Sequence, residues 1–124
     1  MAKWTGFTLI EMIIVIVLIA IVAAYAVPRY INLTTKSQQT STDNLAAALA
    51  TASAENFAKR TANSNQGSPI GNCGSISGLL STGALPSSDY RITSKTLTVG
   101  GTDNTCTLTG PGSTTATFRG LAIN

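Results

Sequence analysis

Residues 5–30 read TGFTLIEMIIVIVLIAIVAAYAVPRY, and within them Met12 to Val27 carries no charge. Phe7 to Val27 is 21 residues. As a helix that span rises about 31 Å, enough to cross the hydrocarbon core of a bilayer. One residue conflicts with so simple a reading. Glu11 stands at the mouth of the run, four residues after Phe7, and an ionisable group at membrane depth needs a partner. Its own helix face offers no cation, since Lys3 precedes Gly6. The partner is therefore expected from another chain or from a newly made N-terminus.

Beyond this stretch the chain divides by composition. Ten of its eleven glycines and three of its four prolines (Pro69, Pro86, Pro111) follow Gln66, and no glycine lies between Gly6 and Gly67. Glycine and proline punctuate local structure, so residues 7–62 read as one long helix and 67–124 as a turn-rich module. In the second half of the helix, 100° steps place Ile31, Leu45, Leu49 and Ala52 on one stripe, widened by Ala46, Ala50 and Phe57. Lys59 and Arg60 suit the negative end of the helix dipole, and Asn63 to Gly67 supplies a stop. A break, if there is one, falls in the Ser/Thr/Gln-rich stretch 34–44, where Thr42 or Asp43 offers a cap for a second helix.

The turn-rich module reads as short elements. Ser75 to Leu85 holds a short helix or turn carrying Ile76, Leu79, Leu80 and Leu85. Tyr90 and Ile92, Leu97 and Val99, and Cys106 and Leu108 alternate with polar neighbours as half-buried strands do. Gly100-Gly101 with Asp103-Asn104 is turn chemistry, Gly110-Pro111-Gly112 ends a strand, and Thr115 to Arg119 offers another. Three or four antiparallel strands need an apolar partner, which the helix stripe supplies. The expected fold class is α+β: a long N-terminal helix, apolar then amphipathic, packed on a small antiparallel sheet head.

Function is bounded mostly by what is missing. There is no His and only five acidic residues, which removes most acid–base, triad and metal chemistry, so no enzyme, cofactor or metal site is expected. The net charge is +3. Lys59, Arg60, Arg91, Lys95 and Arg119 are spread along the sequence and read as solvated surface charge, which leaves nucleic acid an unsupported partner. Cys73 and Cys106 are the only cysteines and show no zinc spacing. A bridge between them would stabilise a small head by roughly 3–4 kcal/mol and imply an oxidising compartment. Two free buried thiols are the alternative.

The apolar run itself admits a secretory signal cut after Ala24-Tyr25-Ala26, or an ordinary anchor, and neither explains Glu11. Lys3-Trp4-Thr5-Gly6-Phe7-Thr8-Leu9-Ile10-Glu11, with the apolar run and Pro28, resembles the N-terminus of a type IV prepilin. Val27 to Leu33 is also similar to the mannose-sensitive haemagglutinin branch of these pilins. From residue 34 on, the likeness is one of architecture only. The resemblance implies a leader peptide (1–6), an apolar transmembrane and filament-core helix (7–33) and a globular head (34–124). It implies cleavage by prepilin peptidase between Gly6 and Phe7, N-methylation of Phe7, and a role for Glu11 in methylation and assembly. Pro28 matches a proline near which the helix of related pilins loosens on assembly.

The implied partners are other subunits in a homopolymer, prepilin peptidase, the inner membrane before assembly and the pilus assembly machinery. The implied location is the bacterial inner membrane, then an extracellular filament serving adhesion, twitching motility or DNA uptake. A minor pilin or a type II secretion pseudopilin shares this N-terminus, although the two-cysteine head and the lack of clustered acidic ligands lean towards a pilin. A secreted disulfide-bridged binding module is the alternative from another class. Asn32-Leu33-Thr34 also fits a glycosylation sequon.

Overall fold

The computed structural model describes residues 6–101 and 104–124. The leader residues Lys3, Trp4 and Thr5, and Asp103 of the expected turn, lie outside the described residues. The chain falls into two units, divided between Thr35 and Lys36. Helix α1 (Leu9–Ala62) contributes to both, and it passes through residues 34–44 without a break. Local hydrogen bonding explains why. The hydroxyls of Thr34, Thr35 and Thr42 donate to the carbonyls of Tyr30, Ile31 and Gln38 four residues back, and Gln39 donates to the Asp43 carboxylate at 2.9 Å. Polar side chains that could have competed for the backbone instead bond along the helix.

In the second unit, a 3-10 helix (Cys73–Leu79) and three strands, β1 (Arg91–Ile92), β2 (Thr105–Thr109) and β3 (Thr115–Arg119), follow α1. Asn72 caps the 3-10 helix, its side chain accepting the Gly74 N–H at 2.8 Å. The strands form one antiparallel sheet in the order β1-β2-β3. The β2–β3 pairing sets Cys106 opposite Phe118 and Leu108 opposite Ala116, so the alternating apolar residues all turn to one face. That face and α1 enclose a core built on Ala46, Leu49, Ile76, Cys106, Leu108 and Phe118. A disulfide joins Cys73 to Cys106, tying the 3-10 helix to the central strand. Gly120 sits where a Cβ would lie within 2.9 Å of Ile76, Cys106 and Leu97 side-chain atoms, so only glycine fits there.

Two expectations are corrected. Leu97 to Val99 is not a strand: Leu97 is buried in the core, Val99 is exposed, and Thr96 makes only an isolated bridge to Asn72. The cause is Asn104, whose amide accepts the Thr98 N–H and donates to the Thr98 carbonyl. A side chain thereby takes the backbone groups that a sheet ladder would need. The buried seam of α1 also differs from the apolar stripe. Ile31 belongs to the other unit and is exposed, while the buried positions are Thr42, Ala46, Leu49, Ser53 and Asn56.

Three of those five are polar, and each has a bonding reason. The Thr42 and Thr114 hydroxyls bond at 2.7 Å. Ser53 Oγ accepts the Leu121 N–H at 2.8 Å. Asn56 clasps Ser68, donating to its carbonyl at 2.8 Å and accepting from its N–H at 2.7 Å. The last clasp holds the turn after α1, where Gly67 adopts φ 71°, a left-handed conformation that suits glycine.

Candidate assembly site

Among the described residues, the N-terminal unit has no buried side chain. Every described side chain from Phe7 to Thr35 is exposed, including Ile13, Ile16, Leu18, Ile19 and Val22. Among the described residues, α1 is the helix long and apolar enough to cross a membrane by length and composition. Its first turn is closed by Thr8, whose hydroxyl accepts the Glu11 N–H at 3.3 Å while its carbonyl accepts the Met12 N–H at 3.2 Å. Thr8-Leu9-Ile10-Glu11 is thus a capping sequence, with an acidic residue three positions after the cap. The reading from composition missed this. The signal was present in the threonine three residues before the glutamate.

Glu11 therefore has a local role as well as an unusual location, since a carboxylate in the first turn complements the positive end of the helix dipole. Gly6, Phe7 and Glu11 lie together at this helix start. Pro28 lies well inside the helix, about 26 Å further along by helical rise. Lacking an N–H, it leaves the Ala24 carbonyl without its usual donor. At the same level Arg29 donates to the Tyr25 hydroxyl at 2.6 Å, its guanidinium carbon 4.9 Å from the ring centre. A tyrosine paired with a cation is the residue chemistry of a membrane–water boundary. Thr34, the last residue of the sequon, lies in helical backbone with its hydroxyl on the Tyr30 carbonyl. Cys73 and Cys106 belong to the other unit and take no part in this site.

An exposed apolar helix that opens with a capped glutamate defines a class of chain, one whose helix must find its partner outside the monomer. The family of the prokaryotic N-terminal methylation motif matches residues 5–27. The chain is also 53% identical over 47 residues to the type IV narrow pilus major component PilA5 of Thermus thermophilus. That match covers 38% of this chain and 40% of the relative, well under two thirds of its length. No solved structure matches the chain significantly. The two matches support a type IV pilin, and neither bears on the mannose-sensitive haemagglutinin branch.

Proposed function

We propose that the chain is a structural, non-enzymatic subunit of a bacterial type IV pilus. The reading rests on one conjunction: a methylation motif at the start of an apolar helical stretch, 7–33, whose side chains are all exposed. Prepilin peptidase cuts between Gly6 and Phe7, removing the leader 1–6, and Phe7 becomes N-methylated. The precursor sits in the inner membrane through the 7–33 helix, with the 34–124 head outside. On assembly the helix leaves lipid and packs against copies of itself. A heterologous contact that does not close then builds a helical filament.

Cleavage leaves a cation at the end of an apolar helix. In a dry filament core Glu11 pairs with the Phe7 ammonium of a neighbouring subunit. Coulomb attraction there is several-fold stronger than in water. Leaving either charge unpaired is penalised heavily, so the pair fixes axial register. Pro28 marks where the helix yields on assembly. The relative's name as a pilus major component favours an abundant subunit over a minor one. Adhesion, twitching motility and DNA uptake are the uses such a filament would serve.

Mass spectrometry of the mature chain, with electron microscopy of cells expressing it, tests the reading. The expected outcome is an N-terminus at N-methyl-Phe7 and filaments made of this chain. A mature start at Val27 would mean a secreted module and would remove the pilus reading.

A further inference from the structure

The two edges of the sheet differ. β1 is only two residues long, which blunts that edge, whereas β3 runs for five. Two bonds flank the β2–β3 ladder: Gly110 N–H to the Thr114 carbonyl at 2.7 Å, and Gly120 N–H to the Asn104 carbonyl at 2.8 Å. Antiparallel bonding alternates, so Ala116 and Phe118 bond to β2. The backbone groups of Thr115, Thr117 and Arg119 point away from it. The helix contacts agree. The Thr115 carbonyl accepts from Gln39 at 2.9 Å, and Leu121, next in the same alternation, donates its N–H to Ser53. From Gln39 to Ser53 α1 rises about 21 Å, and an extended chain from Thr115 to Leu121 covers about 20 Å. α1 therefore follows this edge and clasps it at both ends. Between the clasps lies a groove of about 500 Å³, with Asp43, Ala47 and Ala50 on the helix side and Thr115 to Phe118 on the strand side. Among the described residues, the outward N–H and carbonyl groups of Thr117 and Arg119 have no partner.

We propose that this groove takes an extended segment of a partner protein as a fourth strand, antiparallel to β3. In that direction one partner residue exchanges both bonds with Thr117, and a residue two positions away does the same with Arg119. The main-chain bonds supply affinity, and the groove wall supplies selectivity through alternate side chains. Partner residues opposite Phe118 and Ala116 share the face those residues turn to the helix. They meet Ala47 and Ala50 and must be small. Asp43 sets the charge. Its carboxylate accepts from Gln39 at 2.9 Å and, among the described residues, pairs with no cation. Gln39 also holds the Thr115 carbonyl, so Asp43 marks the end of the groove where an antiparallel strand finishes. The occupant is therefore a strand with small helix-facing residues that ends in a lysine or arginine. A second copy of β3 fits less well. It would set Phe118 against the helix and turn Arg119 to the opposite face, away from Asp43.

The probe is the acetylated, amidated peptide Thr-Ala-Thr-Ala-Thr-Lys, titrated into the full mature chain in detergent and followed by amide chemical shifts. The amides of Thr117 and Arg119 should shift first, with those of β1 unmoved. N-methylating the peptide's third residue removes the N–H that meets Thr117 and should weaken binding about tenfold or more, although every side chain is kept. Replacing its lysine by glutamate should weaken binding about fivefold, as should Asp43→Asn with the original peptide. Ala47→Leu fills the groove from an exposed helix position that leucine suits, and should abolish the shifts in a chain whose circular dichroism is unchanged. A peptide that never shifts these amides would overturn the inference, as would an N-methylated peptide that binds equally well. A folded Ala47→Leu chain that binds like wild type would overturn it too. Subunits that dimerise through β3 without peptide would reassign the edge to a second copy. The head alone is tested, so the result is independent of whether filaments form.

Discussion

The two halves of α1 reverse the usual relation between hydrophobicity and burial. Residues 7–33 are the most apolar part of the chain, and every side chain there is exposed. In the amphipathic half, three of the five buried residues are polar: Thr42, Ser53 and Asn56. Burial within one chain follows the partners that the chain itself supplies. The head brings the Thr114 hydroxyl, the N–H of Leu121 in the returning C-terminal segment and the backbone of Ser68 in the turn after α1, and α1 meets each with a short polar side chain. Among the described residues the side chains of the apolar half are exposed, so their surface is available to lipid or to copies of itself.

The largest expected effect on the head comes from the bridge between Cys73 and Cys106, which spans a sequence separation of 33. Reducing it in the full detergent-solubilised chain should cost about 4 kcal/mol of head stability on the chain-entropy model, read as a lower urea midpoint for the head. The helical signal of residues 9–35 should persist. If both halves melt together, the division into two units is wrong. The next effect separates apolar residues by context. Leu49→Ala removes a fully buried side chain and should cost about 2–5 kcal/mol. Ile19→Ala, on an exposed position, should leave head stability within about 0.5 kcal/mol. Equal losses would mean that the apolar half is packed on the head.

Asn56→Ala tests the polar seam. It strands the N–H and carbonyl of Ser68, which should cost about 2 kcal/mol and speed amide exchange at Ser68 before it affects Leu108. A loss below about 0.5 kcal/mol would mean that water replaces the clasp without penalty.

These residues also mark how far the sequence could be read. The extent of α1 was legible because the glycine-free stretch ends where the helix does. Strands β2 and β3 were legible from the alternation in TCTLT and TATFR. The apolar N-terminal helix was legible because 21 uncharged or edge-charged residues admit few structures. The polar seam was not, since apolar counting skips Thr42, Ser53 and Asn56, whose burial depends on the Thr114 hydroxyl, the Leu121 N–H and the Ser68 backbone, none of them next to α1's residues in sequence. The false strand at Leu97–Val99 has the same origin, because alternation cannot register that Asn104 satisfies Thr98.

The smallest expected effect on the head is also the one that tests most about the apolar half. Two accounts compete for Glu11. In the local one it completes the capping sequence begun by Thr8 and serves the helix dipole. In the intermolecular one its charge answers the Phe7 ammonium of a neighbour. Glu11→Gln and Thr8→Ala separate them, because Gln retains the hydrogen-bonding shape of a capping residue but has no charge, whereas Thr8→Ala loses the cap and keeps the carboxylate. Neither should move the unfolding midpoint of the head. Thr8→Ala should lose about 1 kcal/mol at the helix start, visible as faster amide exchange at Glu11 and Met12, with filament yield near wild type. Glu11→Gln should lower the yield of sheared filaments by about tenfold or more, since an unpaired ammonium in a dry core costs several kcal/mol. Methylation of Phe7 must be quantified in both, because its loss would mimic an assembly defect. If fully methylated Glu11→Gln assembles as well as wild type, or Thr8→Ala fails as badly, the glutamate acts as a helix cap and the register of the filament is set elsewhere.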